Sequence, residues 1–395
     1  MIGRNCIPSS RLFIHATQFS YKMKITVIEP SGNLYGSEFC LLDIIKGTRG
    51  MGMEWEVVMP GGGGFDEILE REGIVWHPLL PAKIHLLPRW KKMGAYWRLR
   101  RHLARARPDV VYLNQAGMLR AVNALAKGLD LPMVCQVQTL EDARLISGRP
   151  VDHAGVQAFL CNSRFTASQA SLPGEKRCIF YQPAVLARMA ESPAAPERGE
   201  PWRVGILGRI AESKGHPVFL EAARRLIERG RGDLRFVVIG EGISPEVGRR
   251  YRDEVEAAGL SGVFEFRGYR KDVPGELARI HVLAIPSVAE PLGRVVLDAC
   301  VAGVPAVVSD SGGLGEFSRD LEVGWRVPAG DAEALADAVM GILAGYPAAV
   351  VRCREEGARM FRRLNPECYF KAMAGILRDA ADRKPSAIQW FGEIE

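Results

Sequence analysis

The chain has 395 residues, 47% of them hydrophobic and 25% charged, with a formal net charge of +6. It is too long for one ordinary core and suits two domains of roughly 150 to 200 residues each, and its composition excludes a disordered chain. No apolar run reaches the roughly 18 to 20 residues needed to cross a bilayer, and the eight cysteines are scattered without a Cys-x-x-Cys pair. This argues against integral insertion, a disulfide framework or a cysteine zinc site, and for reduced, buried thiols in a cytoplasmic protein.

Residues 1–22 carry Arg4 and Arg11 but no apolar stretch followed by a small-residue cleavage site, so they read as an N-terminal extension, with Met23 as an alternative start. Short β-branched runs then alternate with stretches of helical length. Strands are predicted at 24–29, 54–59, 109–113, 133–138, 158–161 and 177–181, giving a first α/β domain over 23–185. At 186–202 the pattern breaks into a segment with Pro193, Pro196 and Pro201, predicted as the linker. A second alternation, with strands at 203–207, 234–239, 263–266, 282–285 and 305–309, predicts a second domain over 203–365. Residues 366–395 are predicted as a helix and tail. Apolar Phe370, Met373, Ile376 and Leu377 fall on one helical stripe, suited to packing back toward the N-terminal domain. Repeated strand–helix–strand units require a parallel sheet with helices on both faces, because crossovers are right-handed. Such doubly wound domains bind ligands beyond the carboxyl ends of their strands, so the cleft between the two is the predicted site.

The first strand of the second domain, RVGIL, runs into Gly208 and Arg209, then Lys214 and Gly215, before a helix starting near His216. Free backbone N–H groups and the helix dipole favour an anion there, and two cations beside it suit a diphosphate, Arg as a fork and Lys as a point charge. A pair of exposed surface cations is the alternative. Further on, Glu290 lies in a loop after the strand ending at 285, and Asp298 follows two helical turns later on the same side. Pro291 stops the strand and Gly293 allows close backbone approach. Two carboxylates so placed can accept hydroxyls of a sugar and a ribose, or serve only as caps and surface charges.

The segments GRIAESKG and AEPLGRVVLDACVAGVPAVVSDSGGLGE, in this order and separation, resemble the C-terminal half of glycosyltransferase family 4, the retaining glycosyltransferases of GT-B fold. The match covers 203–365 well and the N-terminal half in outline. The resemblance implies two Rossmann-like domains facing across a cleft, an acceptor-side one first and a nucleotide-sugar-binding one second. It also implies that Gly208, Arg209 and Lys214 hold the diphosphate of a UDP-sugar or GDP-sugar, and that Glu290 lies by the donor sugar with the Leu292 and Gly293 backbone beside it. Tyr269, in GYRKDVP, falls where members hold the base through backbone contacts. Asp298 stands where the family usually has a glutamate on the ribose, a departure one methylene shorter. In PSGNLYGSE, a looser glycine-rich loop, Gly36 would approach the phosphates and Glu38 would open a helix. Where many members carry a histidine facing the donor sugar, this chain has Gln138, or else Gln136, which cannot shuttle a proton near neutral pH. Arg209, Lys214 and Glu290 are the expected catalytic groups.

No Asp-x-Asp pair occurs, so side-chain cations and helix dipoles, with no metal and no cofactor, are expected to supply the countercharge. Residues 89–107 contain eight Lys or Arg and no acid. Trp90, Lys91, Lys92, Trp97, Arg98, Arg100 and Arg101 are expected to meet an anionic membrane surface, ahead of a solvated helix face or nucleic acid. By resemblance the acceptor is a saccharide or lipid-linked molecule of polysaccharide, lipopolysaccharide or glycolipid assembly. The rivals are a nucleotide-sugar epimerase of the same fold and a two-lobed sugar-binding protein without catalysis.

Overall fold

A computed structural model describes residues 22–34, 36–148, 153–183, 194–384, 386 and 388–390. The extension up to residue 21 and linker residues 186–193 lie outside the described residues. Among the described residues fourteen strands are present: β1 (Met23–Ile28), β2 (Met53–Val58), β3 (Val75–His77), β4 (Val110–Leu113), β5 (Met133–Val137), β6 (Val156–Cys161), β7 (Arg177–Phe180), β8 (Trp202–Leu207), β9 (Leu234–Ile239), β10 (Phe264–Gly268), β11 (Val282–Ile285), β12 (Ala306–Ser309), β13 (Trp325–Val327) and β14 (Gln389–Trp390). The eleven strands predicted from sequence are all there, within one or two residues. The three not predicted, β3, β13 and β14, are two- or three-residue edge strands too short to show a period.

The strands form two wholly parallel sheets, in the orders β14-β7-β6-β5-β4-β1-β2-β3 and β10-β9-β8-β11-β12-β13. Helices on both faces explain why inner strands such as β4, β6 and β11 are buried at every position instead of alternating. In each sheet the order reverses beside its first strand, between β1 and β4 and between β8 and β11. At such a switch point the flanking crossovers go to opposite faces and leave a crevice beyond the strand ends. The sequence-predicted sites Gly208 to Gly215 and Glu290 to Gly293 follow β8 and β11, the two strands at the second switch point.

The end of the chain returns to the first lobe. Helix Pro366–Ala381 packs on helix Gly36–Thr48, Arg378 donates to the Met51 carbonyl at 2.9 Å, and the Tyr369 ring lies 4.5 Å from that of Phe180. Beyond it β14 pairs with β7. Phe370, Met373, Ile376 and Leu377 are buried. Seven cysteines are described and all are free thiols, with only Cys368 less than fully buried. Among the described residues no single helix is long and apolar enough to cross a membrane.

Candidate functional site

The rim of the second lobe is built by close backbone packing. Gly215, at φ +77°, ends the loop after β8 and precedes helix His216–Glu228; a Cβ there would lie 1.9 Å from the Pro286 carbonyl oxygen. Only glycine fits, and the loops after β8 and β11 are thereby locked together, with the Val288 amide donating to the Ser213 carbonyl at 3.0 Å. His216 is buried beneath them, its Nδ1 3.2 Å from the Ala211 carbonyl; burial holds the imidazole down at about 4, so it is neutral and structural. The locked loops bring Lys214 and Glu290 together: Nζ donates to Oε2 at 2.5 Å, with the two side chains 32% and 13% exposed.

Gly293, at φ +83°, opens helix Arg294–Ala302, and a Cβ there would meet Leu314 at 2.6 Å. Leu292 is buried beside it. The Glu290 carbonyl accepts the Gly313 amide at 2.8 Å, and the Ser311 hydroxyl bonds the Val288 carbonyl. The helices after β8, β11 and β12 start at Gly215, Gly293 and Ser311 without a side-chain cap. Those after β9, β10 and β13 start at Ser244, Asp272 and Asp331, each of which accepts an amide of its first turn. The three inner helix ends of the rim thus keep their positive dipole ends uncompensated by a side chain, the arrangement that favours an anion. Gly208 and exposed Arg209 lie on this rim, and half-exposed Tyr269 follows β10 next to it.

Asp298 is half-buried on helix Arg294–Ala302. Burial pushes its carboxyl up to about 6; Arg294 opposes the shift and Asp43 adds to it. Arg294 reaches across to the first lobe, 3.0 Å from Asp43 Oδ2 and 2.9 Å from Cys40 Sγ. Asp298 therefore borders the inter-lobe contact.

In the first lobe the chain leaves β1 at Glu29, which is fully buried. Burial, with the neighbouring charge of Glu38, pushes its carboxyl up to about 8 despite hydrogen bonds from Asn114 at 2.5 Å and the Ser31 amide at 2.8 Å. Gln115 joins Glu38 and Ser37 at 3.2 Å each. Gln138 extends this network at the carboxyl end of β5: its amide group donates to Asn114 at 3.3 Å and its carbonyl accepts from Asn162 at 2.9 Å. Gln136 is held in the core by Tyr112 at 2.5 Å, which leaves Gln138 as the rim residue. Gly36 is exposed at the start of helix Gly36–Thr48, with no atom within 4 Å of where its Cβ would be.

Sequence reasoning missed the contacts that join the lobes. Glu316 accepts the Arg164 amide at 2.8 Å, the Phe165 amide at 2.7 Å and the Tyr181 hydroxyl at 2.5 Å; Asp320 takes the Arg164 guanidinium at 2.7 Å. Ser163 donates to the Pro291 carbonyl at 2.6 Å. A carboxylate of one lobe thus caps a helix of the other, and the loop carrying Glu290 is tied across the cleft. The only local signal was the glutamate that ends GGLGE, a segment with three glycines.

Helix Arg89–Ala106 packs on the first lobe through Ala95, Leu99 and Leu103 and turns Trp90 (69% exposed) and Trp97 (60% exposed) outward. Lys91 lies 5.1 Å from the Trp90 ring and Arg101 5.4 Å from that of Trp97. Lys92 is half-buried, while Arg98, Arg100 and Arg101 are exposed.

Residues 36–201 match the family described as glycosyl transferase 4-like domain, and residues 201–345 match glycosyl transferases group 1. The chain is similar to 2-deoxystreptamine glucosyltransferase of Streptomyces kanamyceticus, 35% identical over 33% of each chain. It is also similar to the lipopolysaccharide core biosynthesis glycosyltransferase LpsE of Rhizobium meliloti (strain 1021), 33% identical over 44% of this chain and 46% of that one. The matches thus span about a third to a half of the length of these relatives. Among solved structures, Anabaena HepE in complex with UDP and glucose superposes with a TM-score of 0.75 at 18% identity, over 90% of this chain and 100% of that one, which establishes the shared fold. With both domain families matched in order across residues 36–345, the chain belongs to the group 1 glycosyltransferases of GT-B fold.

Proposed function

We propose that this chain is a retaining, metal-independent glycosyltransferase that moves a sugar from a UDP- or GDP-sugar onto a hydroxyl of a saccharide or lipid-linked acceptor. The observation that carries the reading is the Lys214–Glu290 pair set among three helix N-termini without side-chain caps. As the bond between the anomeric carbon and phosphate lengthens, negative charge grows on the leaving diphosphate. Lys214, Arg209 and the helix ends are placed beforehand and stabilise that charge more than the ground state. Glu290 orients Lys214 and offers its remaining oxygen to a donor-sugar hydroxyl. Asp298 is assigned to the ribose, Tyr269 to the base through its backbone, and Gln138 to the sugar from the opposite rim. With retention the acceptor hydroxyl attacks from the leaving-group face, and the departing phosphate takes its proton. The bound UDP of the HepE structure and the lipopolysaccharide role in the name of LpsE support the donor and acceptor classes. The outward tryptophans and arginines of helix Arg89–Ala106 would rest on an anionic membrane that presents a lipid-linked acceptor.

The test is a thermal-shift panel of nucleoside diphosphates and their sugars, followed by mass spectrometry of the products with and without an acceptor extract. A stabilising donor and a sugar-extended acceptor are expected. An isomerised donor formed without acceptor would replace this reading with the epimerase. Sugar binding indifferent to the nucleotide would replace it with the non-catalytic binder.

A further inference from the structure

In the first lobe three side chains from three separate elements converge outside the network described above. Glu56 projects from β2, His77 from the edge strand β3, and His102 from the second turn from the end of helix Arg89–Ala106. His77 Nε2 lies 3.1 Å from one Glu56 carboxylate oxygen and His102 Nε2 lies 2.9 Å from the other. One donor atom from each residue falls within 4.8 Å of the other two, and the two imidazole centroids are 4.5 Å apart. The Thr26 hydroxyl, from the neighbouring β1, donates to Glu56 at 2.6 Å. All three side chains are partly buried, between 18% and 33% exposed.

We propose that Glu56, His77 and His102 bind one divalent transition-metal ion of the zinc class. Two imidazole nitrogens and one carboxylate form a donor set that favours zinc, cobalt, nickel or copper over magnesium or calcium, which prefer all-oxygen shells. With metal–ligand distances of about 2.0 to 2.2 Å, tetrahedral donors stand about 3.3 Å apart. The nitrogen–oxygen separations of 2.9 and 3.1 Å run to different oxygens of Glu56, and one donor atom from each residue lies within 4.8 Å of the other two, so an ion enters when the carboxylate turns one oxygen toward both imidazoles and the three side chains close in around it. Both imidazoles would then offer Nε2 as a lone pair and carry their proton on Nδ1. Thr26 keeps its hydrogen bond to the carboxylate and so orients a ligand from outside the coordination sphere. The partial exposure leaves a fourth position to water. None of the three residues belongs to the lobe of Lys214 and Glu290, so the ion has no part in the proposed transfer chemistry. It would pin the basic helix to β2 and to the edge strand, holding Trp90 and Trp97 at a set height above the lobe.

The test uses the untagged full chain, treated with EDTA, dialysed, and titrated calorimetrically with Zn2+, with Mg2+ as control and Co2+ absorption as a readout of geometry. Expected are one Zn2+ per chain, the intense visible bands of four-coordinate Co2+, and a melting temperature that rises with Zn2+ but not with Mg2+. His77→Gln and His102→Gln retain a hydrogen-bond donor to Glu56 and are expected to melt like the parent without metal, yet to bind Zn2+ at least about a hundredfold more weakly. Two results would overturn the proposal: no saturable Zn2+ binding by the parent chain, which leaves Glu56 simply accepting two imidazole hydrogen bonds, or undiminished binding in the His77→Gln/His102→Gln double variant, which places the ion elsewhere.

Discussion

Replacing Lys214 by alanine removes an ammonium and at the same time leaves Glu290, only 13% exposed, without its partner 2.5 Å away. Loss of one donor aimed at charge developing in a transition state costs about 2.7 to 4 kcal/mol, or about 10² to 10³ in kcat. The abandoned carboxylate then faces the diphosphate. Two like charges about 4 Å apart repel by about 4 kcal/mol at an effective dielectric constant of about 20, and the 32% exposure of the lysine site admits water that screens much of this. Together the effects predict a fall in kcat/KM of about 10² to 10⁴ for Lys214→Ala. Glu290→Gln keeps the shape and loses a charged hydrogen bond worth about 1.5 to 3 kcal/mol. In the double variant the repulsion is gone, so its loss should fall short of the sum by about 0.5 to 3 kcal/mol, the usual coupling for residues in contact. Steady-state kinetics with the donor found in the panel, on variants whose melting curves match the parent, measure the cycle. A Lys214→Ala enzyme within threefold of the parent kcat/KM would refute the assignment of the diphosphate to this lysine.

Four further outcomes follow from the structure. Gly215→Ala combines a left-handed backbone with a Cβ 1.9 Å from the Pro286 oxygen; urea denaturation should show a loss of more than about 2 kcal/mol, and an unchanged midpoint would mean the two loops are not locked. Glu316→Ala removes the acceptor of two amides and a phenol and should cost about 3 to 5 kcal/mol, since each buried donor left without its acceptor costs about 1 to 3 kcal/mol, with a loss below about 1 kcal/mol counting against an inter-lobe clamp. Glu29 titrates near 8 in the folded chain and near 4.5 unfolded, so between these values the folded state holds a proton the unfolded state has released, and stability falls as pH rises through that window; Glu29→Gln should flatten the dependence between about pH 5 and 8, whereas parallel curves would contradict a protonated Glu29. Finally, Arg98→Gln, Arg100→Gln and Arg101→Gln together should weaken sedimentation with phosphatidylglycerol vesicles about a hundredfold, at about 1 kcal/mol per basic residue near an anionic surface; equal binding by parent and variant would remove the membrane role of this helix.

What could be read from the residues alone is whatever short-range physics writes locally. Buried β-branched runs of four to six residues, separated by lengths that fit a crossover helix, define the two parallel sheets, and glycines such as Gly215 and Gly293, next to Lys214 and Glu290, mark turns where helices open toward a ligand. Edge strands escaped because three residues of β3 or β13 carry too little pattern, and β14 pairs with a strand some two hundred residues earlier.

The pairing of side chains far apart in sequence belongs to the tertiary structure. Lys214 and Glu290 are 76 residues apart, Arg164 and Glu316 are 152 apart, and Glu56 meets His102 from 46 residues away. Lys214 and Glu290 stand out in the sequence through their motifs, whereas Arg164, Glu316, Glu56 and His102 taken singly read as ordinary polar residues. Only the order of strands in the sheets decides which loop ends share a rim, and only the contact between the lobes decides which carboxylates lose water; burial and partnership, which set their chemistry, are properties of the folded chain and have no local spelling.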